Sequence, residues 1–111
     1  MKTKRFNQII DAQLDVCQSI LKSKAKEYAT EDRLHNFRVA ADLQGVPAKN
    51  ALGGMMAKHT VSVYDMCGSK ESFSQELWSE KITDSINYLL LLRALIQEEE
   101  LDKTVDEASR K

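Results

Sequence analysis

The sequence is short of chain breakers: one proline and four glycines in 111 residues. That scarcity excludes a loop-rich fold and, with few β-branched runs and no apolar–polar alternation, an all-β one; it favours long helices. Only two cysteines occur, Cys17 and Cys67, with no CxxC pair and no metal-ligand spacing. A disulfide scaffold and a zinc module are thereby excluded, and apolar neighbours mark both thiols as core groups of a reducing compartment. Long hydrophobic runs are missing too. The longest, Tyr88 to Leu92, falls far below the roughly 20 residues needed to span a bilayer. The start, "MKTKRFNQII", turns polar again at Asp11, so no secretory leader is expected and a cytoplasmic location is. Charge of one sign is not in excess: sixteen Lys plus Arg against seventeen Asp plus Glu. That balance advertises neither a nucleic-acid nor a membrane surface.

What is present is helical patterning within a single domain. Phe6, Ile9, Ile10, Leu14, Cys17, Ile20, Leu21 and Tyr28 recur at three and four, which predicts a first helix from about Thr3 to Ala29. Asp32 is placed to cap a second helix carrying Leu34, Phe37, Ala40, Ala41 and Leu43, with Gly45 as its stop and Pro47 opening a third. The third helix carries Leu52, Met55, Met56, His59, Val63 and Met66 and ends near Gly68; Ser72 or Ser74 caps a fourth that runs to about Glu99, before a charged tail. The fourth is apolar on more than half its circumference and should be central. The fold class expected is all-α, an antiparallel bundle of about four helices.

Along the fourth helix, positions 80, 84, 87 and 91 fall on one line, so Glu80, Asp84 and Asn87 share a face with Leu91. Leu91 and Leu95 are expected to be buried, and Leu91→Ala to cost about 2–5 kcal/mol. Carboxylates turned toward a bundle interior need neutralising. A divalent ion can do this, and hard oxygen donors suit Mg²⁺, which keeps waters and binds phosphates. Equally, Asp84 can form an interhelix bridge with Arg33, Arg38 or Lys58. "KHTVSVYD" on the third helix offers Lys58 and His59 as phosphate or base contacts and Asp65 as a further carboxylate; Glu27 continues a line on the first helix, and Trp78 could stack on a base. Each has a plain structural alternative as a core or surface group.

"EKITDSINYLLLL" resembles the last motif helix of MazG-like, all-α nucleoside triphosphate pyrophosphohydrolases, in which acidic residues precede an aliphatic run. "KAKEYATEDRLHNF", with Asp84, Asn87 and Tyr88 later, also resembles small phage proteins linked to nucleotide modification. The resemblance implies a nucleotide-binding helical bundle, assembled as dimers or tetramers, in which carboxylates hold Mg²⁺ on the triphosphate and a metal-activated water splits the α–β link. It implies Glu80 and Asp84 as catalytic acids; a rearranged site would bring Glu27 and Asp65 to Glu80 and Asp84 as the metal set, and Lys58, His59, Asn87 and Trp78, read from the helix faces themselves, are the candidate substrate contacts. The chain departs from the pattern at Lys81, where the family has an acid, and lacks an E-x-x-E pair on the third helix; Glu27 and Glu31 are spaced by four. A degenerate site or a non-hydrolytic relative is the corresponding expectation, in a small phage or bacterial protein.

Two other classes compete. "VAADLQGVPAKNALGGMMAKH" has a helix-turn-helix look, with Lys49 and Asn50 near the start of its second helix. Gly53 and Gly54 weaken a recognition helix and suit close helix packing better, and the charge is wrong for duplex binding. The other alternative is an interaction or structural protein that self-associates through Leu89, Leu92 and Ile96.

Overall fold

Helix-forming residues between a handful of breakers give four helices and no strand in the computed structural model, which describes residues 1–27 and 32–109, without the side chains of 23–27. They are α1 (Thr3–Glu27), α2 (His35–Gln44), α3 (Ala48–Gly68) and α4 (Gln75–Ser109). The all-α single-domain bundle expected from the sequence is what the chain forms, and no described helix is long and apolar enough to cross a membrane.

The punctuation is local chemistry. The Leu34 amide donates to Asp32 Oδ1 at 2.9 Å and the His35 amide to the Asp32 carbonyl, so Asp32 closes the turn leading into α2 from a position just upstream of Leu34, the residue that caps it. Gly45 ends α2 with φ of 68°, a left-handed conformation that suits glycine, while the Val46 amide reaches back to the Ala41 carbonyl. Pro47 then opens α3, its carbonyl accepting from the Asn50 and Ala51 amides. Of the two candidate caps for α4, Ser74 serves: its hydroxyl accepts the Leu77 amide at 3.1 Å. The expected end of α4 near Glu99 is passed by ten residues. Good helix formers and spacings such as Glu99–Lys103 carry the helix onward to Ser109 with residues 100–109 exposed.

α3 and α4 make the most extensive pairing; α2 packs on α3, and α1 packs on α4. The Lys49–Glu99 ion pair (3.8 Å) near one end and the His59–Asp84 contact nearer the other show that α3 and α4 run antiparallel. Leu34, Phe37, Leu52 and Leu95 form the buried cluster, with Met55, Tyr88, Leu91 and Leu92 packed against it. Leu95 is buried as expected, but Leu91 is only half-buried, and Leu92, expected on a surface face, packs on the core. Cys17 is buried, whereas Cys67, expected in the core, is exposed: it follows the buried Met66 in the last turn of α3 and so stands about 100° round the helix from it. Gly53 and Gly54 do not mark close packing: a Cβ at either would meet nothing within 4 Å.

Candidate functional site

The stretch "DRLHNF" crowds polar groups at the entry to α2, and the fold brings them opposite the polar face of α4. Between them opens a cleft of about 240 Å³. Its apolar walls are Ile20 and Leu21 of α1, Phe37 of α2, Met55 of α3, and Tyr88 and Leu91 of α4. Its polar groups are Asp32, Arg33, His35 and Asn36 on one side and Asp84 and Asn87 on the other. Apolar walls with a few converging polar groups are the usual make-up of a small-molecule site.

The walls are held by specific contacts. The Tyr88 ring stacks on His59 (centroids 4.7 Å, planes 29° apart) and meets the edge of Phe37 at 6.4 Å. Arg38 pairs with Asp32 at 3.6 Å and with Glu98, fastening the entry of α2 to α4. Arg33 donates through Nη2 to the Leu21 carbonyl at 3.5 Å, joining the same entry to α1.

Two of the expected site residues stand in this cleft. Asp84 is partly buried, and its Oδ2 lies 3.9 Å from Nδ1 of His59, which is therefore its described bridge, rather than Arg33, Arg38 or Lys58. Asn87 is 6% exposed, and its Oδ1 is buried with no hydrogen-bond partner among the described residues. A buried carbonyl oxygen without a donor costs about 1–3 kcal/mol and calls for an explanation; an incoming donor is one.

The others are dispersed. Glu80 is exposed and lines an adjacent, more open hollow shared with Asp84, Val16, Ile20 and Thr83. Lys58 and Asp65 are exposed and line neither hollow. Trp78 packs edge-on against Phe73 at 5.9 Å, before the cleft along α4. The side chain of Glu27 lies outside those described. Among the described residues no three His, Cys, Asp or Glu side chains come together as a metal group, so Asp65, Glu80 and Asp84 do not form one by themselves. The residues that sequence reasoning missed at the site are Asp32, Arg33, His35 and Asn36. Their signal was present in the density of polar side chains in "DRLHNF", which a reading for helix caps absorbed. No family model, curated protein or solved structure matches this chain, so the geometry of the cleft carries the functional argument.

Proposed function

We propose that the chain is a small nucleotide-binding protein of the MazG-like kind, in a phage or bacterial cytoplasm, with Mg²⁺-dependent pyrophosphohydrolysis of a nucleoside triphosphate as its activity. The observation that carries this reading is the pairing, one helical turn apart in a single apolar-walled cleft, of Asp84 with Asn87, whose buried Oδ1 has no partner. An unpaired acceptor beside aromatic walls suits a flat ligand bearing N–H groups, as a nucleobase does. Asp84 and Glu80 are one turn apart, and Mg²⁺ commonly takes one or two carboxylates and completes its shell from waters and substrate phosphates. The acids therefore fit that mode, with Asp84 as the ligand at the cleft and Glu80 beside it. Bound there, the ion would neutralise the phosphates and lower the pKa of a water for attack. Arg33 stands on the same cleft as a cation suited to phosphate. His59 Nδ1 stands 3.9 Å from the Asp84 carboxylate, and Tyr88, in ring contact with His59 and Phe37, sets the width of the slot.

The DNA-binding reading draws no support from Lys49, which is paired with Glu99. A helical interaction protein is the second reading, favoured by the exposed apolar residues of α1.

The test is a panel of ribo- and deoxyribonucleoside triphosphates with Mg²⁺, read by pyrophosphate release and by thermal shift. At least one nucleotide should be cleaved and should raise the melting temperature. Asp84→Asn should abolish release while leaving the helical circular dichroism intact. No release and no shift across the panel would sink the proposal.

A further inference from the structure

Between Gln13 and Leu21 one face of α1 turns toward α4; its first half is packed and its second half borders open space. Gln13 donates to Thr83 Oγ1 at 2.8 Å, and Cys17, one turn on, is fully buried. Steps of three and four residues carry the same face to Ile20 and Leu21. Both are only partly buried, and both line the cleft of about 240 Å³ with Asn87, Tyr88 and Leu91 of α4. Val16 and Ile20 border the second hollow, about 480 Å³, which shares Asp84 with the cleft. Packed interiors hold few voids larger than a water molecule, so helices that leave such gaps between them are incompletely closed on one another. The rest of α1 adds little hold. Among the described helices it packs on α4 alone, and Phe6, Ile9 and Ile10 are half-exposed. Its first turn carries Lys4 and Arg5 and no acid, which opposes the helix dipole. The Arg33 contact to the Leu21 carbonyl, at 3.5 Å, is longer than the usual N–H···O range. The cluster joining α2, α3 and α4 differs: Leu52 and Leu95 have no exposure at all.

We propose that α1 is a movable wall of the cleft. It parts from α4 in the empty protein while α2, α3 and α4 stay packed, and a ligand closes it by filling the space between Ile20 and Leu21 on one side and Tyr88 and Leu91 on the other. Only the identity of that ligand rests on the nucleotide reading, in which it is the base of a nucleoside triphosphate seated at Asn87. A ligand that needs both walls binds the closed form alone, and that preference draws α1 shut. Amide exchange on the full chain reads the motion. With no ligand, residues 13–21 should exchange at least about tenfold faster than residues 52–66 of α3 and 87–95 of α4. Leu91→Trp fills the cleft from α4 and should slow exchange over 13–21 by about threefold or more with no ligand present. Gln13→Ala removes the tether to Thr83 and should speed it by about threefold to tenfold, the worth of one hydrogen bond. Neither should change exchange over 52–66. Mg²⁺ with a nucleoside triphosphate that binds should slow the same segment of the unaltered chain. Gln13→Ala and the ligand-free comparison decide the matter if the tryptophan disturbs α3. Slowing by the tryptophan, with no nucleotide bound by the unaltered chain, would keep the moving wall and remove the nucleotide as its ligand. A nucleotide that binds and leaves exchange over 13–21 where it was would keep the nucleotide and overturn the moving wall. So would equal exchange over 13–21 and 87–95 in the empty chain, or a Gln13→Ala chain in which 13–21 exchanges no faster.

Discussion

Asn87 carries the sharpest conflict between stability and use. Its Oδ1 is buried without a donor, on a helix whose neighbouring side chains are well packed. Asn87→Leu replaces the amide with an apolar group of similar size and removes that desolvation cost. Unfolding free energy should therefore stay level or rise by about 1 kcal/mol. Under the nucleotide-binding proposal, nucleotide affinity should fall by about tenfold or more, the equivalent of about 1.4 kcal/mol for a lost hydrogen bond. Urea denaturation and ligand-induced thermal shift, run on the same protein, check the two halves. A variant that is destabilised by more than about 2 kcal/mol would make the asparagine a structural residue instead. Cys17 and Cys67 show the same dependence on position at this scale: similar sequence surroundings, yet one thiol is buried and the other exposed.

Helices α3 and α4 divide the energetic load unevenly along their lengths. Leu95 is fully buried against Leu34, Phe37 and Leu52. Leu95→Ala should cost about 2–5 kcal/mol in chemical denaturation, the range for a large-to-small core change. Leu91, one turn earlier, lines the cleft and is only partly buried, so its truncation should cost clearly less; equal losses would mean the cleft is closed in solution. On α3, Gly53 and Gly54 have open space where a Cβ would stand. Gly54→Ala should stabilise the protein by about 0.5–1 kcal/mol by restricting the unfolded chain and strengthening the helix. A loss of stability in the melting curve would show that something packs on that surface after all.

The molecule as a whole is long for its chain length. Its extents are 56 × 33 × 26 Å and its radius of gyration is 17.4 Å, against about 13 Å for a compact domain of this size. The 35-residue α4, about 52 Å long, sets the long dimension. Among the described residues the attachment of α1 is the thinnest in the bundle, and includes the Gln13–Thr83 hydrogen bond, buried Cys17, and the Arg33 contact to Leu21. Because Ile20 and Leu21 form one wall of the cleft, whatever steadies α1 also steadies the site.

Periodicity and breakers alone determined the four helices, the stops at Gly45 and Gly68, the start after Pro47 and the inward turn of Asn87, because these follow from backbone geometry and the spacing of apolar residues. Tertiary structure decided which charges meet. Helix order and crossing put Arg38 on Asp32 and Glu98, His59 on Asp84, and the polar cluster of "DRLHNF" across a cleft from Asn87. It also left Glu80 in solvent, Leu91 at the cleft and half of the α1 stripe bare. A helical repeat fixes which residues share a face; only the packing of the other helices fixes how much of that face is covered, and by what.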